Sequence, residues 1–141
     1  MMRHWFATLT LLLCSAACNA QNYAEGQVWA YKTRKGEEAS TVLINKIEND
    51  AKGGKIFHIS VLGVKVKNRQ AASGVSTELP HFPVSQQTLD LSLTKYLRKA
   101  SVHPQHANGY NTWKKAHTEG KAGVFTVGVA EIVDIVETAL N

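Results

Sequence analysis

The side chains best suited to chemistry in this sequence are histidines. His103 and His106 lie three positions apart, and with His117, or with His81 nearby in the fold, they form a candidate metal site. Zinc needs three or four ligands that converge at bonding distance. The spacing falls on a loop that contains Pro104, and no cysteine or acidic residue lies close by in sequence. Solvent-exposed loop histidines are therefore the competing interpretation.

Single histidines could also act as general bases. His58 and His117 are candidate general bases, but a base needs a nucleophile or water and an orienting group within reach, and no pattern pairs one with them. We expect His58 on the polar face of a strand and His117 packed beside Tyr110 and Trp113. The chain contains no G-x-S-x-G, phosphate-loop, G-x-G-x-x-G or H-E-x-x-H motif. The sequence thus indicates neither a catalytic site nor a cofactor.

Two predicted loops carry candidate partner-binding residues. The first is a hairpin tip with charges of both signs, and the second places an aromatic ring between Pro80 and Pro83. Loops on a rigid scaffold often recognise partners. The alternative is that the hairpin tip is only solvated and that the aromatic ring covers the core. The candidates are Arg34, Lys35, Glu37, Glu38, His81 and Phe82.

The first twenty residues have the pattern of a secretory signal peptide. Arg3 precedes an apolar run over residues 5–13, and small residues follow up to Ala20. The run is shorter than the ~20 apolar residues that a membrane-spanning helix needs. Cleavage after Ala20 is one expectation. The other is lipidation of Cys18, because residues 15–18 resemble a bacterial lipobox, with Ser15 where leucine is usual.

Composition limits the classes of protein that remain. The 141 residues are 44% hydrophobic and 19% charged, which fits one soluble domain and excludes collagen, a coiled coil and a polytopic membrane protein. Both cysteines, Cys14 and Cys18, lie in the predicted leader, so no disulfide can staple the mature chain. The net charge of +5 comes from scattered basic doublets and triplets without interleaved aromatic residues. This distribution argues against nucleic-acid binding and favours a protein partner in the cell envelope, with membrane attachment only through Cys18.

The first half of the chain predicts strands. Segments 27–33, 39–48 and 55–66 are rich in β-branched and aromatic residues and are joined by short turn-forming stretches, which favours an antiparallel meander. In the third segment the apolar alternation slips by one residue at Gly63, which predicts a β-bulge there. Segment 74–79 is a candidate fourth strand, and segment 124–127 is a candidate short strand.

The second half predicts three helices. The first runs from the N-cap Ser85 to about residue 99, with one apolar stripe and a cationic end. The second covers residues 109–119, with Asn108 as cap and Gly120 beyond its end. The third covers residues 129–140. The stripe residues are Leu89, Leu93, Tyr96 and Leu97 in the first helix and Val129, Ile132, Val133, Val136 and Leu140 in the third.

These elements predict an α+β fold for residues 21–141, with a mainly antiparallel sheet of three to five strands and about three helices packed on one face. The function we expect is that of a small exported bacterial binding protein without catalytic activity, such as an inhibitor or immunity protein against an envelope-acting enzyme or toxin. Two alternatives stay open: a secreted hydrolase or metal-dependent enzyme that uses the histidines, and an envelope-structural lipoprotein. The oligomeric state and the identity of the partner do not follow from the sequence.

Overall fold

The computed structural model describes residues 22–141, so the predicted signal peptide and the lipidation candidate Cys18 lie outside the described residues. Within this range the chain forms one antiparallel sheet of five strands in the order β4-β3-β2-β1-β5, with three helices. The α+β class predicted from the sequence is confirmed. The elements are β1 (Gln27–Tyr31), β2 (Thr41–Asn49), β3 (Lys55–Lys67), β4 (Val75–Ser85), α1 (Gln86–Ser92), β5 (Leu93–Lys99), α2 (His106–Thr118) and α3 (Val129–Ala139).

The predicted meander of the first three strands is present, with β2 paired to both β1 and β3. Gly63 has a φ of 76°, a conformation that suits glycine, and the pairing of β3 with β4 shifts register between Leu62 and Val66. Phe57, Ile59, Val61, Val64 and Val66 all join one hydrophobic core, so the chain resumes the same face after the irregularity at Gly63. The slip in apolar alternation was thus a correct indication of a bulge.

The main core lies between one face of the sheet and the helices α1 and α3. Apolar side chains of β1 to β4 meet Leu89 of α1 and the stripe of α3 there. In α3 the stripe is as predicted, with Val129, Ile132 and Val133 buried and the last two members partly buried against the core. With no cysteine beyond residue 18, this packing is what the described part of the chain has for stability.

The predicted helix over residues 85–99 is wrong in its second half. Ser85 caps α1 as expected, accepting a hydrogen bond from the Thr88 N–H, but α1 ends at Ser92 and the chain continues as β5. The outer edge of β1 takes β5 as its antiparallel partner, and Lys32 donates its backbone N–H to the Ser92 carbonyl at this junction. Sheet pairing therefore overrides the helical spacing of the apolar residues.

The sequence predicts that all helices pack on one face of the sheet, but the structure places them on both faces. His58 alternates with Phe57 and Ile59 along β3, and α2 covers the face that carries His58. Buried polar groups hold this second layer together. The Asn45 carboxamide donates to Ser60 Oγ at 2.8 Å and accepts the His103 N–H at 2.9 Å, which fixes the loop that leads into α2.

Two element boundaries differ from the sequence-based expectation. Residues 124–127 form no full strand; Phe125 makes a single parallel bridge to Val84. Helix α2 begins at His106, three residues before the predicted start, and its N-cap Gln105 makes no side-chain cap hydrogen bond. Its predicted end is confirmed, since Gly120 follows the C-cap Glu119 with a φ of 73°.

Candidate functional site

The residues with catalytic potential gather between β3, β4 and α2. His58 is fully buried, and its Nδ1 lies 2.9 Å from Nε2 of His81 on the neighbouring strand. The two rings stack at 5.1 Å with an angle of 14° between their planes. His106, at the start of α2, places its ring 6.2 Å from that of His58 and 5.5 Å from that of His81. We call His58, His81 and His106 the histidine cluster.

Aromatic side chains of α2 cover the histidine cluster. The Tyr110 and Trp113 rings meet the His58 ring edge-on at 4.8 and 4.9 Å. Trp113 also donates its indole N–H to the Gly123 carbonyl at 2.8 Å, which anchors the helix to the following loop. The cluster is therefore part of a packed layer, in which His58 has no exposed surface and His106 is 6% exposed.

The close approach of α2 to β4 depends on Gly109. A Cβ atom at this position would lie 2.7 Å from Cβ of His81, a distance that carbon atoms do not tolerate without movement. Gly109 therefore lets the helix backbone rest directly on the His81 side chain.

We expect Gly109→Ala to destabilise the protein by about 1–3 kcal/mol, because α2 must move away from His81. In an ordinary exposed helix position the same change would stabilise by about 1 kcal/mol, so the sign is diagnostic. The measurement is the free energy of unfolding in urea, with Asn108→Ala on the exposed side of the helix as control. A more stable G109A would show that α2 does not rest on His81.

Burial keeps the histidine cluster uncharged at neutral pH. Burial lowers the pKa of His58 to about 4, although the neighbouring Glu48 carboxylate acts in the opposite direction. The pKa of His81 falls to about 4, first through burial and then through its two histidine neighbours. Burial and the charge of Lys46 lower the pKa of His106. Neutral imidazoles can accept or donate protons, but His58 and His106 are buried here and His81 is partly exposed.

Glu48 connects the cluster to the surface. Its carboxylate accepts the Tyr110 hydroxyl at 2.8 Å and Lys114 Nζ at 3.3 Å, and it lies 3.3 Å from His58 Nε2. Burial would raise the pKa of Glu48, but these hydrogen bonds outweigh it and lower the value. The pKa of Tyr110 rises to about 12 through burial and its bond to Glu48. His58 Nε2 and His106 Nδ1 make no hydrogen bond among the described residues.

The proposed metal ligands His103, His106 and His117 have separate partners. His103 Nε2 lies 2.8 Å from a Glu78 oxygen, and His106 belongs to the histidine cluster. His117 stacks on Trp113 at 4.4 Å, as expected, and its Nδ1 lies 2.8 Å from the Ala122 carbonyl oxygen. In residues 22–141 no group of three or more His, Cys, Asp or Glu side chains is arranged to hold a metal ion.

A groove of about 490 Å³ lies where the turn after β2 meets the end of α2. His117 Nε2 and Asp50 Oδ1 are 3.9 Å apart there. Because Nδ1 of His117 faces a backbone carbonyl, Nδ1 is the donor in the neutral ring and Nε2 is free to accept. Glu48 and Lys114 complete the polar lining. Among residues 22–141, the groove has an imidazole nitrogen that can accept a proton but no activated nucleophile beside it.

The hairpin-tip residues Arg34 and Glu37 serve an internal ion network. Arg34 Nε lies 2.7 Å from Glu37 Oε1, and its Nη1 lies 3.1 Å from Asp134 and 3.2 Å from Glu137 on α3. Glu37 is only 4% exposed and also accepts the Lys65 backbone N–H. Its pKa is lowered first by the hydrogen bond from Arg34. These two side chains hold the tip against α3.

The other four candidates for partner contact divide between interior and surface. Phe82 is partly buried, with its ring 6.0 Å from that of Phe125, and His81 belongs to the histidine cluster. Lys35 and Glu38 are exposed and remain available at the hairpin tip. Of the six, these two have the surface position that a contact residue needs.

Sequence patterns did not reveal the most exposed apolar surface, which lies along β5. Four of the six exposed large hydrophobic residues of the described chain fall within residues 91–102. The same segment carries three cations, none of which makes an ion pair within residues 22–141. We call residues 91–102 the β5 surface. Its members are the apolar Leu91, Tyr96, Leu97 and Val102 and the basic Lys95, Arg98 and Lys99.

The sequence does not predict the β5 surface, because the residues of β5 also fit the spacing of a helix. Leu93, Tyr96 and Leu97 satisfy helical spacing, and the cations that follow suit a helix end. The available signal is the β-branched Thr94 two positions before Tyr96, since strands favour β-branched and aromatic residues. Placement of β5 at a sheet edge required the whole sheet.

No helix within the described range is both long and apolar enough to cross a membrane.

Comparisons with known proteins identify no relative of this chain. A scan against protein-family models found no match, and neither did searches of curated proteins and of solved structures.

Proposed function

We propose that this chain is a small exported protein of the bacterial envelope that works by binding another protein, as an inhibitor or immunity protein does, and not by catalysis. The observation that carries the proposal is the β5 surface, where the exposed Tyr96 and Leu97 lie on the same strand as three cations that make no ion pair within residues 22–141. Export rests on the leader pattern of residues 1–20.

The composition of the β5 surface is that of a contact region. Tyr96 is 47% exposed and Leu97 41% exposed, although the chain has a large core in which to bury apolar groups. Tyrosine and arginine are enriched where proteins meet, and exposed apolar side chains close in sequence to cations suit a contact region. No acidic residue occurs between positions 91 and 118, so the cations lack local compensation in sequence. An acidic protein surface is the complementary partner.

The catalytic alternative draws support from the His117 groove and less from the histidine cluster. A base must reach the proton it removes, and His58 has no exposed surface. His117 faces a groove, but the described side chains place no activated nucleophile beside it. Binding therefore accounts for more of the exposed surface than hydrolysis does.

The binding proposal is tested by charge reversal. The tagged protein, exported by its own leader, should copurify with a partner that size-exclusion chromatography resolves as a complex and mass spectrometry identifies. We expect the triple variant K95E/R98E/K99E to lose that complex, and the control K52E/K55E/R69E, which reverses three exposed cations elsewhere, to keep it. A complex that survives reversal on β5 would place the contact on another face.

The mass of the mature N-terminus separates the envelope alternatives. Cleavage after Ala20 gives a free polypeptide, whereas lipoprotein processing gives a chain that begins with a diacylated or triacylated Cys18. A full-length protein that keeps residues 1–20 and stays in the cytoplasmic fraction would overturn the assignment to the envelope.

A further inference from the structure

The β5 surface has a backbone component as well as side chains. Strand β5 lies at one end of the sheet and pairs only with β1. In an antiparallel sheet, alternate N–H and C=O groups of an edge strand point away from its neighbour and stay unpaired. Within residues 22–141 no segment pairs with the outer side of β5.

The opposite edge of the sheet is protected. Strand β4 contains Pro80 and Pro83, which have no N–H to offer. Near its end, Phe125 occupies the outer side, donating its N–H to the Pro83 carbonyl at 3.0 Å and accepting the Ser85 N–H at 2.9 Å. The two edges thus differ: a loop and prolines cover one, whereas β5 presents unpaired backbone.

We propose that β5 receives an acidic extended segment of the partner protein as a sixth strand. The proposal rests on the proposed binding function and specifies its mode. The backbone edge supplies hydrogen bonds, Tyr96 and Leu97 supply apolar contacts, and the cations select a chain rich in aspartate or glutamate.

Charge decides between this occupant and a second copy of the protein. Two antiparallel β5 strands would bring Lys95, Arg98 and Lys99 of one copy beside those of the other, and like charges on neighbouring strands are destabilising. Cations on an edge strand are a recognised guard against such self-pairing. An acidic strand meets no such repulsion.

Neighbouring aromatic side chains hold Tyr96 in place, so an added strand would meet an apolar contact at a fixed position. Its ring contacts Trp29 edge-on at 5.7 Å, and Trp29 contacts Tyr23 in the same way at the same distance. Tyr23 in turn donates its hydroxyl to Asp90 at 2.7 Å. This aromatic row extends from the core to the edge, so that an apolar side chain of the partner would extend it.

The test uses the whole exported protein and a short synthetic peptide in which glutamate and valine alternate. We expect the peptide to slow hydrogen exchange of β5 backbone amides and to bind about tenfold or more weakly to K95E/R98E/K99E than to K52E/K55E/R69E. The same peptide with N-methylated backbone amides should lose most of its binding, because it cannot complete the hydrogen bonds of a strand.

The outcomes distinguish this mode from the broader binding function. Equal binding of the N-methylated peptide, or unchanged exchange of the β5 amides, would overturn strand addition while leaving a partner that depends on the β5 cations in place. Dimerisation in place of peptide binding would identify a second copy as the occupant. Binding to vesicles with anionic lipid but not to the acidic peptide would identify a membrane surface, and would also refute the acidic segment.

Discussion

Acidification from pH 7 to pH 4.5 should cost this protein several kcal/mol of stability. His58 and His81 have a pKa of about 4 in the folded protein, against the ordinary 6.5 that they regain on unfolding. Because the unfolded chain binds protons more readily, stability is fully present above pH 6.5 and falls as the pH drops toward 4. The fully buried His58 alone accounts for roughly 3 kcal/mol, and the partly exposed His81 for less.

The groups around His58 include few that could stabilise the positive charge of its protonated ring. Its surroundings include Glu48 and Lys46 from β2, His81 from β4, and His106 and Tyr110 from α2. Glu48 is the only acidic member of this set, and it already accepts the Tyr110 hydroxyl and Lys114. Protonation therefore places a positive charge in a buried site. The charge of Lys46 and the neighbouring imidazole of His106 make that protonation still less favourable.

The measurement is the free energy of unfolding in urea at intervals between pH 7 and pH 4.5, and the contribution of the histidines is taken from the part of the curve between pH 7 and pH 5. This window isolates the histidines, because Glu37 and Glu48 have a lowered pKa in the folded protein and an ordinary one near 4.5 when unfolded, so they lose stability only at lower pH. We expect His58→Gln to flatten the pH dependence, even where it lowers stability at pH 7. His81→Gln should do so to a smaller extent.

His117→Gln is the matched control for the acid response, since His117 lies outside the histidine cluster, stacked on Trp113. A slope that falls as much in H117Q as in H58Q would mean that the cluster is not the acid-sensitive element. A wild-type stability that stays level from pH 7 to pH 5 would mean that water reaches His58 and relieves its burial.

Loss of the Glu37 carboxylate should have an effect of similar size. Glu37→Ala leaves Arg34 with its contacts to Asp134, Glu137 and the Lys65 carbonyl, and leaves the Lys65 N–H without its acceptor. Removal of one partner from a buried charge pair typically costs 3–5 kcal/mol. Because Arg34 is partly exposed, we expect about 2–4 kcal/mol here.

Glu38→Ala is the control for Glu37, since it removes the adjacent, exposed carboxylate of the same hairpin tip. Its effect on the free energy of unfolding should be much smaller than that of E37A, because substitutions of exposed residues change stability little. The double variant R34M/E37L tests the cause, because replacing both charges with apolar groups should recover part of the loss in E37A. If E37A and E38A were equally mild, the Arg34–Glu37 pair would not anchor α3.

The candidate contact residues show where local reasoning succeeded and where it did not. A mixed-charge hairpin tip is a common surface feature, and Lys35 and Glu38 are exposed as expected. Arg34 and Glu37 look the same in sequence but face each other and α3, whose Asp134 and Glu137 lie about a hundred residues further along the chain. No local pattern records a partner at that separation.

The burial of His58 likewise depends on a contact from a segment distant in sequence. His58 alternates with apolar residues along β3, a pattern that predicts a solvated face when only one side of a sheet is covered. Helix α2 covers that side as well, and it can approach because position 109 is a glycine. The burial of His58, and with it the acid sensitivity, follows from where α2 lies.

Periodicity and turn chemistry by themselves determined the three-stranded meander, the bulge at Gly63 and the buried stripe of α3, since each depends on residues within one segment or in strands that follow each other along the chain. Tertiary structure alone decided that residues 93–99 pair as an edge strand, that His58, His81 and His106 come together and that Arg34 binds α3. In each of these cases the deciding contact comes from a segment distant in sequence. The free energy of pairing or burial there exceeds the local preference of the residues involved.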